Sequence, residues 1–546
     1  MYSFSLILSD MNARMICRMG LLLAACLMAS VQAFGEDVCF TENGLIYSSV
    51  APAPCGHYLG RHGKTDVMVR GYEPTLRFEA GQTTLRVPST ITHGDKTYNV
   101  VCVGKEAFVG LSTVEKIIVE DGIESIGSNA FACCPDLKSV YLPATLNGLG
   151  YSMFQESNNL KEIVIDPKCT NWESCEGSNA IMWGVEDNVE LLQGCSGTKI
   201  PASVKIIGNE AFSGCHSLER IVLPEGVEEI GYLAFSGCSS LKEIVLPESL
   251  KLIGQDAFEG CSSLTSIYIP KNVNTIAGYN VFNGCYRLTS IVVDKDNAFY
   301  DSRSHCNGIV RKSDSTLVAT CPATIITKDI KRLNGGCFHG TPVHSLRIPR
   351  TLVSVTGECF SSCTEIDEII VDSKNPYYMS PQGSNALLTK DGKTLVLGCR
   401  TTELPEGVEE IGDYAFAGRY SKRMLNLPVG VKTIGRGAFK RCNEINNVVI
   451  PSSVTTLSES AFSDCQRLHS VQVFAPLEVI RNCTFMGCPS LIAINIPESV
   501  REIGYCAFSG CTNLKNVHLP SAIERIGFDA FKDCSFSPSS SDAAMK

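Results

Sequence analysis

The sequence is poor in tryptophan and histidine. Only two tryptophans and nine histidines occur among its 546 residues. It also lacks an excess of positive charge, since 57 acidic and 47 basic residues give a formal net charge of -10. A nucleic-acid binder needs a basic face that releases counterions from phosphate. No HExxH, GxSxG or P-loop pattern occurs. We therefore expect no catalytic, cofactor-binding or metal-binding residues, no enzyme activity and no nucleic-acid partner.

Long apolar runs are scarce as well. The longest, Met19–Val31, follows two arginines and ends in small residues, which is the pattern of a secretory signal peptide cleaved after Ala33. The "LAAC" that ends at Cys26 offers an alternative, a bacterial lipoprotein box with Cys26 lipidated. No other stretch approaches the roughly 18 apolar residues of a membrane-spanning helix. The sequence predicts removal of residues 1–33, no transmembrane segment, and a location that is secreted or on the outer cell surface.

One unit recurs along most of the chain. It reads L-x-x-I-x-[LI]-P-x-x-[VL]-x-x-I-G-x-x-A-F-x-G-C-x-x, and Leu241–Ser263 is one copy. Its phenylalanine occurs fifteen times, and eleven of the fourteen spacings are 22 to 24 residues. The pattern predicts a short strand ended by proline, a second extended piece closed by glycine, and a turn that buries the phenylalanine. The phenylalanines are Phe108, Phe131, Phe154, Phe212, Phe235, Phe258, Phe282, Phe338, Phe360, Phe416, Phe439, Phe462, Phe485, Phe508 and Phe531.

A single unit of this kind cannot bury its apolar side, so the units must stack. We predict a β-rich solenoid of about fifteen 23-residue coils. Three spacings of 56 or 58 residues indicate inserts, and "KDGK" in the last of them is a two-residue hairpin signal. The predicted boundaries are an N-terminal β cap at 34–100, a solenoid at 101–534 with β-hairpin inserts at about 166–199, 294–326 and 372–403, and a disordered tail at 535–546.

The repeat "IPxxVxxIGxxAFxGCxxLxxIxLP" resembles the BspA-like subclass of leucine-rich repeat proteins, which are secreted and surface proteins of Bacteroidetes and some mucosal protozoa. The resemblance covers about residues 85–534 and extends to the inserts and to "VPSTITHGDKTYNV" in the cap. It implies a curved, right-handed superhelical solenoid, and some such proteins are adhesins for extracellular-matrix or other host proteins. We expect a non-enzymatic binding or adhesion protein that recognises host or neighbouring-cell proteins. The alternative is a secreted glycan-binding protein.

Eleven repeats carry cysteine three residues after the phenylalanine, a position that we call the cysteine slot. One cysteine per coil makes a linear row, whereas metal ligands converge on a point. Stacked side chains also point the same way, which suits disulfide geometry poorly. Leu111 and Ser157 occupy the same slot, and this favours core packing over disulfides or metal ligation. The slot cysteines are Cys134, Cys215, Cys238, Cys261, Cys285, Cys363, Cys442, Cys465, Cys488, Cys511 and Cys534.

Isolated disulfides remain plausible in a secreted chain. The candidate pairs are Cys39 with Cys55 in the cap and Cys169 with Cys175 in the first insert. Removal of residues 1–33 leaves 25 cysteines, so complete intramolecular pairing is impossible.

The candidate binding residues lie between Ile and Leu of "LxxIxL", a set that we call the outward column. Stacked strands would place this column on the exposed face of a sheet. It is mostly apolar early in the chain and mostly polar in the last five copies. Either β-propensity alone explains the apolar part, or it is an exposed patch that binds a protein partner. The candidate residues are Tyr141, Val222, Val245, Tyr268, Val292 and Arg347, and the two tyrosines are the first to test.

Overall fold

The computed structural model describes residues 38–49, 65–73, 82–174, 177–185 and 188–536. The predicted signal peptide and Cys26 lie outside these residues, as do positions 537–546 of the predicted tail. The chain divides into two units, Met1–Val281 and Phe282–Lys546, which are described separately.

The first unit consists of short β-strands. They are β1 (Cys39–Glu42), β2 (Leu45–Ser49), β3 (Asp66–Tyr72), β4 (Thr84–Val87), β5 (Thr90–His93), β6 (Lys96–Val103), β7 (Lys116–Val119), β8 (Ser125–Ile126), β9 (Ser139–Leu142), β10 (Gly148–Leu149), β11 (Glu162–Ile165), β12 (Ile181–Val185), β13 (Asn188–Gln193), β14 (Val204–Ile207), β15 (Arg220–Val222), β16 (Glu229–Ile230), β17 (Glu243–Val245), β18 (Leu252–Ile253), β19 (Ser266–Ile269) and β20 (Thr275–Ile276).

Two strands of each coil pair with the equivalent strands of the next coil. Strands β4, β7, β9 and β11 form one parallel sheet, and β8 and β10 extend the sheet of β3 and β6. In β9, Val140 and Leu142 are buried and Ser139 and Tyr141 face outward, which is the period-2 alternation that the repeat predicts. Since β4 and β6 already pair with coil strands, the stacked sheets begin before residue 101.

The phenylalanine turn forms the third side of each coil. The N–H of Phe212 donates to the carbonyl of Ala234 at 2.7 Å, and the N–H of Phe235 donates to the carbonyl of Ala257 at 2.8 Å. The rings stack between coils, with 5.1 Å between the centroids of Phe212 and Phe235. These coils are therefore bonded to one another along all three sides, and their stacked rings fill the interior.

The second unit repeats the design. Its strands are β21 (Ser290–Val293), β22 (Tyr300–Asp301), β23 (Gly308–Arg311), β24 (Thr316–Thr320), β25 (Arg332–Leu333), β26 (Ser345–Ile348), β27 (Glu368–Val371), β28 (Tyr378–Met379), β29 (Ala386–Thr389), β30 (Thr394–Gly398), β31 (Glu410–Ile411), β32 (Met424–Asn426), β33 (Thr433–Ile434), β34 (Asn447–Ile450), β35 (Thr456–Leu457), β36 (Ser470–Val473), β37 (Val479–Ile480), β38 (Ala493–Asn495), β39 (Glu502–Ile503), β40 (Asn516–His518) and β41 (Arg525–Ile526). Two short 3-10 segments, Arg303–His305 and Gly357–Phe360, complete it.

In the second unit, strands β32, β34, β36, β38 and β40 form one five-stranded parallel sheet.

Phe536 packs edge-on against Phe531, the last ring of the column, at 5.1 Å. The Ser535 hydroxyl donates to the Thr512 carbonyl at 2.6 Å. The chain thus covers the end of its own ring column.

The three inserts are antiparallel hairpins, β12 with β13, β23 with β24, and β29 with β30. The second strand of each hairpin then pairs in parallel with the next coil, through β14, β25 and β31. An insert is therefore a turn of the solenoid in its own right. The solenoid has about 18 turns at about 23-residue spacing, and the fifteen phenylalanine coils account for all but the three hairpin turns.

Candidate functional site

The most apolar part of the outward column lies in the first unit. Val222, Val245 and Tyr268 are 49%, 39% and 46% exposed, and we call these three residues the apolar row. Val222 pairs directly with Val245 across β15 and β17. The isoleucine that precedes each of them on its strand is buried and packs the strand against the core. The row is a rigid apolar surface, because its side chains project from hydrogen-bonded backbone.

Charged residues border the apolar row, and they are paired with one another. The Arg220 guanidinium donates two hydrogen bonds to the Glu243 carboxylate, at 3.0 and 3.3 Å. The Lys242 ammonium lies 2.8 Å from the Glu219 carboxylate, and its hydrogen bond lowers the pKa of Glu219. These pairs leave little net charge beside the row. An apolar centre with a polar rim is the usual composition of a protein-binding surface.

Tyr141, the other tyrosine predicted from the sequence, has a different environment. It is half-buried, and the Lys116 ammonium lies 4.0 Å from its ring centroid. Its hydroxyl donates to the Glu162 carboxylate at 3.3 Å. Cation–π and hydrogen-bond contacts within the sheet therefore occupy Tyr141. Its neighbours in the outward column, Ile118 and Val164, are also half-buried.

Val292 and Arg347 are exposed but belong to the second unit. The six predicted residues therefore fall into a group of four in the first unit and a pair in the second. The rest of the column in the second unit is largely polar and exposed. Its exposed members are Asn426, Gln472, Asn495 and His518.

A depression of about 360 Å³ lies on this polar face. Gln472, Phe474 and Asn495 line it, and Phe474 is 62% exposed. The Asn495 amide is held in place, since it accepts from the Val473 N–H at 2.8 Å and donates to the Val473 carbonyl at 2.9 Å. An exposed aromatic ring beside amides distinguishes this surface from the apolar row.

A larger groove of about 590 Å³ lies at the start of the first unit. Tyr47, Arg86 and Lys116 are among its lining residues, and burial raises the pKa of Tyr47 to about 12. The described lining includes no histidine, cysteine or carboxylate side chain.

The cysteine slot has a role that the sequence analysis missed. Among the described residues, the slot thiol of at least nine coils donates to the carbonyl of the phenylalanine in the preceding coil, as Cys238 does to Phe212 at 3.2 Å. Cys238 is fully buried, and that burial raises its pKa well above the usual range. Ser157 makes the same bond, to Phe131 at 2.7 Å. The nine thiols are those of Cys134, Cys238, Cys261, Cys363, Cys442, Cys465, Cys488, Cys511 and Cys534.

The substitutions in the slot carried the signal for this bond. Serine, threonine and arginine replace cysteine in three coils, and all three residues are hydrogen-bond donors. The one apolar replacement, Leu111, occurs in the first coil, which follows no other phenylalanine coil. The slot therefore holds a hydrogen-bond donor, either a small side chain such as serine or a long one such as arginine, rather than a metal ligand. Among the described residues, no group of three or more His, Cys, Asp and Glu side chains could hold a metal ion.

The predicted disulfides involve residues that are only partly described. Cys39 is exposed, whereas the Cys169 thiol donates to the Leu146 carbonyl at 3.7 Å. Their proposed partners, Cys55 and Cys175, lie outside the described residues. Both pairings stay predictions. In the part of the chain that is described, no helix is long and apolar enough to cross a membrane.

These features define a leucine-rich-repeat β-solenoid, a scaffold that presents side chains on stacked strands. The BspA type Leucine rich repeat region matches residues 89–179, 192–307, 320–381, 398–482 and 478–541, in 6 copies. The chain belongs to this BspA-type family of leucine-rich repeat proteins, as the sequence resemblance predicted. No curated protein matches it.

Several solved structures are similar to the chain. A leucine rich cell surface protein from Faecalibacterium prausnitzii is 21% identical, with a TM-score of 0.30, and the match covers 93% of this chain and 97% of that one. A leucine-rich repeat protein from Bacteroides ovatus is 21% identical, with a TM-score of 0.26 and coverage of 91% and 92%. The pneumococcal vaccine antigen PcpA is 19% identical, with a TM-score of 0.29 and coverage of 90% and 98%. The family assignment depends on the repeat match and not on these alignments.

Proposed function

We propose that the protein is a non-enzymatic adhesion or binding protein, secreted or held on the outer cell surface, and that it binds a protein partner through the apolar row. The observation that carries this proposal is the exposure of Val222, Val245 and Tyr268 in three consecutive coils. A contiguous patch of exposed apolar side chains commonly marks an interaction surface. Repeat solenoids commonly bind through such extended surfaces.

The partner favoured by this surface is a host or neighbouring-cell protein with an apolar patch. The ion pairs of Arg220 with Glu243 and of Lys242 with Glu219 leave the rim close to neutral. A strongly charged ligand would therefore gain little from long-range attraction. A tyrosine beside two valines supplies the kind of aromatic anchor that dominates interface energies.

Export is the second part of the proposal, and it depends on the apolar segment Met19–Val31. We expect the exported chain to begin at Phe34, because cleavage would follow Ala33. N-terminal sequencing of the secreted or surface-released protein checks this. A chain that retains its first residues, or one that carries lipid at Cys26, would contradict cleavage after Ala33.

The apolar row gives a direct test of partner binding. Changing Val222, Val245 and Tyr268 together to serine should weaken binding at least tenfold, because each residue loses apolar area that the partner would bury. The measurement is capture of matrix proteins and mucins from a defined panel by the mature chain. The melting temperature should change by no more than about 3 °C, because the substituted side chains are exposed.

The matched control is a double change of Asn426 and Gln472 to serine, in the same column of the second unit. Both side chains are exposed and polar, so the control changes the same column without removing apolar area. Unchanged binding by the apolar-row variant, together with loss in the control, would overturn the assignment of the site to the first unit.

Glycan binding is the second candidate function, and the depression around Phe474 favours it. Sugar rings commonly pack on exposed aromatic rings, and amides such as those of Gln472 and Asn495 suit sugar hydroxyls. Tyr378, in the third insert, is buried and accepts a hydrogen bond from the Val355 N–H at 3.1 Å, so it presents no exposed ring to a sugar. Mucin capture that is lost in a Phe474→Ala variant and kept in the apolar-row variant would favour this function over the first.

A further inference from the structure

A free strand edge lies beside the groove at the start of the first unit. Strand β4 is the last strand of its sheet, and within the described part of the chain only β7 pairs with it. Thr84, Leu85 and Arg86 of this strand line the groove of about 590 Å³. An unpaired strand edge is a template for pairing with another chain, so the edge of β4 is a candidate binding surface.

The hydrogen bonds to β7 identify the unpaired backbone groups of β4. The Lys116 N–H donates to the Thr83 carbonyl at 3.1 Å. Successive residues of a strand direct their N–H and C=O groups to opposite edges. Thr83 and Leu85 therefore bond to β7, whereas the N–H and C=O groups of Thr84 and Arg86 face the free edge. Among the described residues, none hydrogen-bonds to these groups. The edge thus offers donors and acceptors in the pattern that another strand requires.

The lining of the groove combines buried apolar residues with positive charge. Leu45 and Tyr47 of β2 line it and are buried. Arg86 and Lys116 are the charged residues of the described lining, and Arg86 is exposed. The side chains of a strand alternate between its two faces. A strand in the groove therefore fits this lining when acidic residues alternate with apolar ones.

The carboxylates next to the groove have other partners. Glu120 accepts a hydrogen bond from the Ser89 N–H at 3.2 Å, and the Glu42 carboxylate lies 3.1 Å from Nδ1 of His93. Neither cation of the lining forms an ion pair within the described part of the chain. Two cations without a carboxylate partner favour a ligand of opposite charge.

We propose that this groove binds an extended acidic segment of a partner protein, which adds as a further strand to the free edge of β4. The backbone of the segment bonds to Thr84 and Arg86, because a neighbouring strand lies about 4.8 Å away. Its acidic side chains lie beside Arg86 and Lys116, and the alternate apolar side chains pack against β2. The apolar row lies on other strands, β15, β17 and β19, so this site does not rest on the proposed function.

A labelled, blocked peptide of alternating glutamate and valine, titrated with the mature chain and followed by fluorescence anisotropy, tests the proposal. We expect Arg86→Ser to weaken its binding at least about fivefold, and the double change of Arg86 and Lys116 to serine at least about tenfold. The matched control is Arg347→Ser, an equally exposed arginine of the outward column in the second unit, which should leave binding unchanged. The melting temperature of each variant should stay within about 3 °C of the unchanged chain.

Two further measurements separate strand addition from attraction between side chains. The same peptide with N-methylated amides keeps its charge and loses backbone donors, so it should bind at least about tenfold more weakly. Hydrogen exchange followed by mass spectrometry should show slower exchange in segment 82–88 when the unmodified peptide is bound. Equal binding of the methylated peptide, or unchanged exchange in that segment, would contradict strand addition.

Other results would overturn the choice of ligand. A chain that binds no glutamate–valine peptide, or binds a lysine–valine peptide equally well, would contradict an acidic partner. Self-association of the chain that Arg86→Ser abolishes in sedimentation velocity would assign the groove to a second copy instead. Peptide binding requires no partner of the apolar row. A chain that binds the peptide but captures no protein through Val245 and Tyr268 would therefore contradict the proposed function alone.

Discussion

Replacing Phe439 with alanine should lower the free energy of unfolding by about 3–5 kcal/mol. The ring is fully buried and stacks on Phe416 and Phe462, at 5.3 Å on either side. Tyr420 packs edge-on against it at 5.8 Å. Truncation removes aromatic contacts on three sides and leaves a cavity between coils whose backbones are fixed by hydrogen bonds. Urea unfolding followed by circular dichroism measures the loss.

Position along the ring column sets the size of this effect. Phe531 is the last ring, with Phe508 stacked on one face and Phe536 set edge-on, so its truncation should cost less than that of Phe439. Phe528 is 75% exposed and serves as the control, with an expected change below about 0.5 kcal/mol. Equal losses for Phe439 and Phe528 would show that the ring column is not the source of stability. Because a repeat array can unfold in parts, the transitions should be compared individually.

The sequence predicted the ring column and the coil strands because each depends on one coil and its identical neighbour. Val140 and Phe235 stand at repeat positions that recur along the chain, so the repeat pattern alone identifies them as core residues. The structure of the inserts was less predictable. Their hairpins were visible in turns such as Asp391-Gly392, but the pairing of β30 with β31, which makes the insert a turn, is a long-range contact that the repeat letters do not encode.

The outward column was harder to predict, because its exposure depends on side chains that vary between copies. Tyr141 and Tyr268 occupy equivalent positions in the repeat. Lys116 and Glu162 from adjacent coils contact the first, whereas Tyr268 remains 46% exposed. Which copies present a surface is therefore decided by neighbouring variable residues. The six candidates lie on the outward side of their strands and fall into two units and two chemical kinds, and their role in binding stays a prediction.

Arginine replaces cysteine in the slot at position 419, in the coil that follows the third insert. The coil of Phe416 follows the third insert, whose turn carries no phenylalanine. Gly398 of that turn lies so close to the Phe416 ring that a Cβ atom would come within 2.0 Å of it. The phenylalanine carbonyl that the slot normally satisfies is that of Phe360, 56 residues earlier than Phe416. The long side chain of Arg419 reaches this carbonyl across the insert turn. The coils after the first and second inserts instead carry short side chains in the slot, Cys215 and Thr341.

Removing Arg419 should therefore be among the most damaging single changes in the second unit. Its guanidinium is 1% exposed, and burial lowers its pKa to about 10, so it remains charged at neutral pH. Its hydrogen bonds all go to backbone carbonyls. The acceptors are the carbonyls of Phe360, Cys363, Gly398, Tyr414 and Ala415.

Arg419→Ala should lower the free energy of unfolding by at least about 3 kcal/mol, because several buried carbonyls lose their donor and a cavity opens. Arg419→Met separates these causes, since it keeps much of the volume and supplies no donor. Cys442→Ala, which removes one thiol donor from the slot of the next coil, is the matched control, with an expected loss of about 1 kcal/mol. If urea unfolding places Arg419→Met within 1 kcal/mol of the unchanged chain, volume and not hydrogen bonding is what the slot supplies after an insert. A large loss in both Arg419 variants and a small one at Cys442 would instead show that the guanidinium joins the coils on either side of the third insert.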